Sequence, residues 1–534
     1  MRSKRQRLRL ALGVLAACLG LQAGGASARN DEPPAEDPLS AIDWLSQSLH
    51  APPAAGTGRG TPADEPPVDA SGAMPVEVVT TPLDRPLLDS VGLLAPATSG
   101  LPADLWGPGP SDEIARAIAT ARISGLPVLR DLLIRLLLSE ARAPADAGTD
   151  GGLLQVRIDK LLQLGALDQA AALVALARPL SPELFRRAFD IALLTGDEER
   201  ACHEMLASPG LAPTLPARVF CLARGGNWDA AALTLQTARA LGEVGPAQAA
   251  LLERFLDPEA DDEAQLLPPP VPVTPLDWKI HDGIGETLPT SMLPLAFAHA
   301  DLDPAAGWKA RIEAAERLTR AGVLAPNVLL GFYTEREAAA SGGVWDRVAA
   351  FRAFDAALAA RDPDAVARTL PSAWARMQEA ELEVPFATLY GEALAAIPLS
   401  GEAARIAFRI GLLSPQYQDF ARDHGPPDEV SGSEAAFLVA LALGRPPQAD
   451  PARGSLEQSI AAAFLTPVPS SAGGALREQG RIGEAILMAM DEIDEGAEGD
   501  LLRVTQGLSL LRELGFEDVA RRAALELVLL ERRG

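Results

Sequence analysis

One kind of helical turn recurs along this chain and constrains its fold more than any other feature. Three turns, "GALDQA" at 165, "GDEERA" at 196 and "GNWDAA" at 226, place an acid three residues and an Ala five residues after Gly. Two later turns, at Gly480 and Gly515, repeat the Gly-to-Ala spacing. Gly can end one helix in the left-handed conformation, and Ala lets the next helix approach closely. Each turn therefore predicts a helical hairpin.

The first of these units resembles the tetratricopeptide family, whose units place Gly, then Ala, a second Ala and a final Pro at fixed positions. Gly165, Ala170, Ala177 and Pro182 match all four. The units beginning at Gly196 and Gly226 match in part, with an interval shorter than the family's roughly 34 residues. The resemblance implies a degenerate, tetratricopeptide-like stack of hairpins. Alternatively, the spacing is common to any Ala-rich helical hairpin.

The rest of the chain also favours helices, because aromatic residues make up only 4% of the sequence while Ala and Leu are abundant. We predict an all-α fold, an α-solenoid of antiparallel helical hairpins, preceded by a disordered Pro/Ala-rich N-terminal tract. Its blocks are a tetratricopeptide-like block over 111–256, an acidic and Pro-rich joint over 257–275, and a second helical block over 276–534. In the second block, one apolar stripe comprises Val348, Phe351, Phe354 and Leu358.

The first 28 residues have the layout of a secretory signal peptide, with a basic start, a short apolar run and the small residues "ASA" before Arg29. The protein is therefore expected outside the cytoplasm, in the periplasm of a bacterial cell. A competing interpretation is that Cys18 lies in a lipobox and becomes a lipid anchor. No later segment has about 18 uninterrupted apolar residues, so we expect no transmembrane segment in the mature chain.

Residues 29–82 are rich in Pro, Ala, Gly and acid, a composition that predicts a disordered linker. Within it, 38–49 is expected to form a short amphipathic helix with Leu39, Ile42, Trp44, Leu45 and Leu49 toward one side. Because so short a helix is not stable alone in water, we interpret it as a docking helix for a partner. Packing on the chain's own repeats and an incidental apolar cluster are the alternatives.

Residues 83–110 are expected to form an ordered, extended strap along the first helices, ending where Ser111 caps a helix that begins at Asp112. Two cysteines follow in the hairpin region. Cys202 lies near the start of one helix and Cys221 near the end of the next. Neighbouring antiparallel helices would bring them together, so we predict a disulfide, with two reduced core thiols as the alternative.

The net charge excludes several kinds of partner. It is −25 for the whole chain, and removing the five positive charges of residues 1–28 leaves −30. Such a protein repels nucleic acid and anionic lipid.

The sequence lacks a phosphate-binding loop and the common hydrolase motifs, so we predict no catalytic residues, no cofactor and no metal. His299 has Asp301 and Asp303 close by, for which a helix end capped by acids is favoured over a metal site. His203 beside Cys202 points away from it on a helix and cannot serve as its base. We interpret the acidic run at 491–500 as a solvated turn, and Trp308, Trp345 and Trp374 as core residues.

These features favour a non-catalytic envelope scaffold or adaptor that binds another protein through its helical array and its docking helix. An assembly factor or chaperone of a motility or secretion machine is a second possibility. A third is the helical accessory domain, or remnant, of a cell-wall enzyme such as a lytic transglycosylase. The Glu-Ser pair that such an enzyme needs is absent from the sequence.

Overall fold

The computed structural model describes residues 87–122, 125–257, 266–338, 340–426, 432–445 and 455–530. These residues form α-helices, short 3-10 segments and no strand, with one isolated backbone bridge between Leu94 and Ser139. The prediction of an all-α fold built from helical hairpins is confirmed. The signal segment, Cys18, the linker and the helix predicted over 38–49 lie outside the described residues.

The helices that precede the joint are α1 (Pro96–Ser99), α2 (Ser111–Thr120), α3 (Pro127–Leu138), α4 (Gly152–Gln163), α5 (Leu167–Leu176), α6 (Pro182–Thr195), α7 (Glu198–Ala207), α8 (Leu215–Arg224), α9 (Trp228–Leu241) and α10 (Pro246–Leu256). Those that follow it are α11 (Pro275–Gly283), α12 (Trp308–Arg320), α13 (Pro326–Thr334), α14 (Val344–Ala359), α15 (Pro363–Glu379), α16 (Glu383–Ala395), α17 (Gly401–Leu413), α18 (Tyr417–Asp423), α19 (Ser433–Ala442), α20 (Ser455–Leu465), α21 (Ser471–Glu478), α22 (Ile482–Ala497), α23 (Leu501–Glu513) and α24 (Glu517–Leu529). The 3-10 segments are Leu88–Ser90, Pro209–Leu211, Thr290–Met292 and Leu295–Leu302.

Each of the five predicted turns joins two helices that pack against each other: α4 and α5, α6 and α7, α8 and α9, α21 and α22, and α23 and α24. The turn glycines have φ between +74° and +88°, the left-handed conformation in which a side chain is strained. Five residues after each Gly, the Ala is buried: Ala170, Ala201, Ala231, Ala485 and Ala520. Close helix approach thus follows from the same short motif that reverses the chain.

The two ends of the array meet, which the sequence does not predict. The Gly483 amide at the start of α22 donates to the Leu105 carbonyl at 2.7 Å, and Trp106 beside it is buried. At the start of α3, the Val128 amide donates to a carboxylate oxygen of Glu526 in α24 at 3.1 Å. The first and the last helices therefore cover each other's apolar faces.

Two large hydrophobic clusters fill the array, and they do not divide at the joint. The larger one contains residues from 101–194 together with residues from 278–530. The smaller one is built from residues between 185 and 280 and contains both cysteines of the predicted disulfide. Helices of the two predicted blocks therefore share one core. The predicted stripe of α14 is buried in it, with Val348 and Phe354 fully inaccessible.

The predicted cap of α2 is wrong. Ser111 is the first residue of the helix rather than its cap, and its Oγ donates to Oδ1 of Asp146 at 2.6 Å. The Ser111 amide donates to both oxygens of the same carboxylate, at 3.0 and 3.1 Å. Asp146, which is distant in sequence, therefore accepts from the amide at the start of the helix.

The predicted solvated turn at 491–500 is also wrong in part, because α22 continues to Ala497. Ile493 is buried and anchors this part of the helix in the core. Asp491 and Glu495 lie 3.4 and 3.5 Å from the guanidinium of Arg122, which follows α2. Part of the acidic run therefore faces the first helices of the chain.

Candidate functional site

A cleft of about 970 Å³ lies where helices before and after the joint meet. One wall consists of Asp168 in α5 and the last residues of α6. The rest of the lining comes from α11, from residues 287–291 and 299–307, and from α12. Residues from both predicted blocks thus form one concave site, and its size falls within the range of ligand sites in proteins.

Side chains from two helices hold the irregular wall of the cleft. The Trp278 indole Nε1 donates to the Leu288 carbonyl at 3.1 Å. Arg317 donates to the carbonyls of Thr290 and Leu293 at 3.0 and 3.2 Å. These bonds tie main-chain carbonyls of residues 288–293 to α11 and α12, and they add to the bond that the Thr290 carbonyl accepts within its 3-10 segment.

His299 fixes the same wall to a repeat turn. Its Nε2 lies 2.7 Å from the carbonyl oxygen of Gly165. Burial lowers the pKa of His299, an effect that the Gly165 carbonyl and Asp168 oppose. The imidazole is therefore neutral at pH 7, and its Nε2 must carry the proton that this carbonyl accepts.

The carboxylates predicted beside His299 have other partners. Asp301 accepts a hydrogen bond from the Thr290 hydroxyl, and Asp303 accepts from the Ala305 amide at 2.7 Å, just after the 3-10 segment ends. Among the described residues, no group of three or more His, Cys, Asp or Glu side chains could hold a metal ion.

The cleft carries an excess of negative charge. Its lining contains five carboxylates and two cations, a difference of three. Lys279 lies 3.1 Å from Glu198, and Arg317 is bonded to main-chain carbonyls, so both cations are already engaged. The carboxylates are Asp168, Asp282, Asp301, Asp303 and Glu313, of which all except Asp301 are exposed to solvent. A cleft of this sign attracts cationic groups.

The two cysteines of the predicted pair are joined in the structure, in the smaller core beside the cleft. Cys202 in α7 and Cys221 in α8 form a disulfide with a Cα–Cα distance of 5.0 Å. The disulfide joins the second helix of the α6–α7 hairpin to the first helix of the α8–α9 hairpin. His203 next to Cys202 is exposed.

Of the three tryptophans predicted in the core, Trp374 is buried. Trp308 and Trp345 are half-buried and pack against the edge of the larger core. The rings of Trp308 and Trp345 lie 5.1 Å apart. Trp308 Nε1 donates to the Phe332 carbonyl at 3.0 Å. These contacts join the starts of α12 and α14.

Buried charges brace the fold around the cleft, and sequence reasoning missed them. Arg187 in α6 pairs with Asp159 in α4 through two hydrogen bonds of 2.6 Å. Arg347 in α14 forms the same kind of pair with Glu316 in α12, which also accepts from the Tyr333 hydroxyl at 2.6 Å. The only sequence signal of such a buried pair is a polar residue between apolar neighbours. The same pattern also occurs where a helix face is exposed to solvent.

No described helix combines the length and the apolar character needed to cross a bilayer. Comparisons of this chain with protein-family models, with curated proteins and with solved structures find no match.

Proposed function

We propose that this protein is a non-catalytic scaffold of the extracytoplasmic space that binds a segment of another protein in the cleft between α6, α11 and α12. The observation that carries this proposal is the cleft itself, about 970 Å³ in volume, with exposed carboxylates and with both of its cations engaged. Charge complementarity selects partners and steers their approach. The matching partner segment therefore carries Lys or Arg side chains.

The proposed compartment is supported by the Cys202–Cys221 disulfide, because structural disulfides persist in oxidising spaces. Export by residues 1–28 brings the chain there, and cleavage before Arg29 releases it. If Cys18 is acylated instead, the same scaffold is tethered to a membrane. Mass spectrometry of the mature N-terminus distinguishes a chain that starts at Arg29 from one that starts at a lipidated Cys18.

Photo-crosslinking in intact cells tests the cleft. Ser291, an exposed residue of the lining, is replaced by benzoylphenylalanine in the full chain. The crosslinked segment, identified by mass spectrometry, should be rich in Lys and Arg. Charge reversal by Asp168→Lys with Asp282→Lys should abolish the crosslink.

The matched control reverses two exposed carboxylates outside the lining, Glu243→Lys with Glu402→Lys, and should leave the crosslink unchanged. A crosslink that survives charge reversal in the cleft, or that is lost equally in the control, contradicts the proposal.

Residues 38–49 are proposed to contribute a second contact with the partner. Replacement of Leu45 and Leu49 by Asp should abolish capture of the partner and leave the thermal unfolding of the helical array unchanged. A large decrease in thermal stability would instead indicate that this segment packs on the chain's own repeats.

A further inference from the structure

Two of the helices that line the cleft, α6 and α11, also pack against each other. Both contribute to the two large cores. From α6, Leu194 lies in the larger core and Phe189 in the smaller one. From α11, Trp278 lies in the larger core and Ile280 in the smaller one. A change in the contact between α6 and α11 therefore affects the cleft and the boundary between the two cores together.

An acidic side chain of α6 is buried within electrostatic range of α11. Asp190 in α6 is 8% exposed, and its Oδ2 has no hydrogen-bond partner among the described residues. Asp277, at the start of α11, acts on it as a like charge. A buried carboxylate without full hydrogen bonding is unfavourable in its ionised form. Burial accordingly raises the pKa of Asp190 to about 7.

The cations near Asp190 oppose this effect only in part. Arg186 and Arg187 in α6 favour the ionised carboxylate, while Asp159 in α4 acts against it. Arg187 is already paired with Asp159 through two hydrogen bonds, so much of its charge is balanced.

The other elements packed against α6 hold their charged groups in different contacts. Glu198 in α7 lies 3.1 Å from Lys279 of α11 and 3.4 Å from Arg224. His299 in the 3-10 segment bonds the Gly165 carbonyl, and Asp168 in α5 is exposed in the cleft.

Within α11, His281 is buried with its Nδ1 3.7 Å from Glu286, which also pairs with Arg254. Burial lowers the pKa of His281 below its ordinary 6.5. His281 therefore titrates in a lower pH range than Asp190.

We propose that the contact between α6 and α11 is pH-sensitive: ionisation of Asp190 allows α11 to move away from α6. The neutral carboxyl is compatible with the closed contact. The buried carboxylate, which the like charge of Asp277 disfavours, gains hydration when the contact opens. Because Trp278, Lys279 and Asp282 belong to α11 and line the cleft, opening removes part of the proposed binding site. The effect of this opening on partner binding rests on the proposed function, whereas the pH-sensitive contact itself does not.

The size of the response follows from proton linkage. In the closed contact Asp190 titrates at about pH 7, and hydration in the open one lowers its pKa toward the ordinary value of 3.8. A raised pKa means that the closed contact is most stable below pH 3.8 and loses stability as the pH rises to 7. Above pH 7 both forms are ionised and the response levels off. Between pH 6 and pH 8, the equilibrium for opening should therefore rise about tenfold.

Amide hydrogen exchange in α11 measures this opening without any partner. After correction for the intrinsic effect of pH on exchange, the amides of residues 276–283 should open about tenfold more at pH 8 than at pH 6 in the full-length protein. Asp190→Asn removes the titration and should make opening independent of pH over this range. Glu199→Gln is the matched control, since Glu199 in α7 is a carboxylate with 85% side-chain exposure. It should keep the tenfold response.

A second variant keeps the test decisive if Asp190→Asn does not fold. Asp277→Asn retains an oxygen for the Thr274 cap and removes the like charge, so the pH response should move to lower pH. An equal pH response in the wild type and in Asp190→Asn overturns the proposal of a pH-sensitive contact. So does a flat profile in the wild type.

The pH-sensitive contact and the proposed function can fail separately. If exchange in α11 depends on Asp190 and pH but no cleft crosslink forms at position 291, the pH-sensitive contact is supported and the binding function is wrong. If the crosslink forms and exchange does not depend on Asp190, the binding function is supported and the pH-sensitive contact is wrong.

Discussion

Replacement of Arg157 tests how the strap is held on the helical array. This arginine in α4 is 1% exposed and donates to four main-chain carbonyls, of which that of Asp89 is the most distant at 3.5 Å. Its Nε lies 2.8 Å from the Leu137 oxygen and its Nη2 2.8 Å from the Ser139 oxygen, at the end of α3. Its Nη1 lies 2.7 Å from the Val91 oxygen in the strap. One guanidinium thus satisfies carbonyls at a helix end and fixes the strap beside them.

Arg157→Met keeps the length of the aliphatic side chain and removes the donors. Hydrogen bonds to a charged group contribute about 1.5 to 3 kcal/mol each, and carbonyls left buried without a donor are unfavourable. Removal of the guanidinium also leaves the buried carboxylate of Asp89 without a nearby positive charge. Losing the desolvation penalty of the arginine offsets part of these terms. We expect a net decrease of about 3 to 5 kcal/mol in the free energy of unfolding.

Equilibrium urea unfolding followed by circular dichroism provides the assay, with Arg142→Met as the matched control. The Arg142 side chain is 73% exposed, and its ion pair with Asp104 measures 3.4 Å. Its loss should therefore change the free energy of unfolding by less than about 0.5 kcal/mol. A decrease below about 1 kcal/mol for Arg157→Met, or one equal to that of the control, would refute the anchoring role of Arg157.

Three further substitutions test other parts of the structure. Replacing Cys202 and Cys221 together by Ala should lower the free energy of unfolding by about 3 kcal/mol in urea, because the disulfide closes a loop of about 20 residues; unchanged stability contradicts this. A Cβ at Gly483 would lie 2.4 Å from the ring of Trp106, so Gly483→Val should separate the strap from α22. This variant should destabilise the fold by about 1 to 3 kcal/mol and speed proteolysis of the strap, and wild-type protease resistance would argue against the contact. Burial lowers the pKa of Lys160 to about 8, so the wild type should gain stability between pH 8 and 10 as the ammonium loses its proton. Lys160→Met should lack this gain, and equal pH profiles of the two proteins in denaturant titrations would refute the reasoning.

The parts of the fold that the sequence predicts are those encoded within one hairpin. The spacing from Gly165 to Ala170 specifies both a left-handed turn and a small buried contact, and both occur within six residues. The cysteine pair extends this logic over two helices. In each case the contacts join residues that are close in sequence, so a local pattern contains the information.

The cleft and the buried charges depend on contacts between distant residues, for which a single sequence contains no periodic signal. Arg157, Lys160 and Arg187 occupy helix positions where a charge normally indicates solvent, yet all three are buried because carbonyls or a carboxylate from other elements face them. The acidic run in α22 was misread for the opposite reason. Its high density of charge obscures Ile493, the fully buried residue that holds it in the core, and Ala497, which packs against the same core.

Contact between the ends of the array changes where a partner can bind. An open solenoid needs polar terminal repeats because its last hairpins have no neighbour. Here Trp106 packs against Gly483, Val128 bonds to Glu526, and Arg481 lies 2.5 Å from Glu113, so each end serves as the neighbour of the other. Apolar surface that an open array would offer to a partner is thereby buried within the chain. The cleft beside α11 remains open and four of its five carboxylates are exposed, so the proposed binding of a cationic segment does not depend on that buried apolar surface.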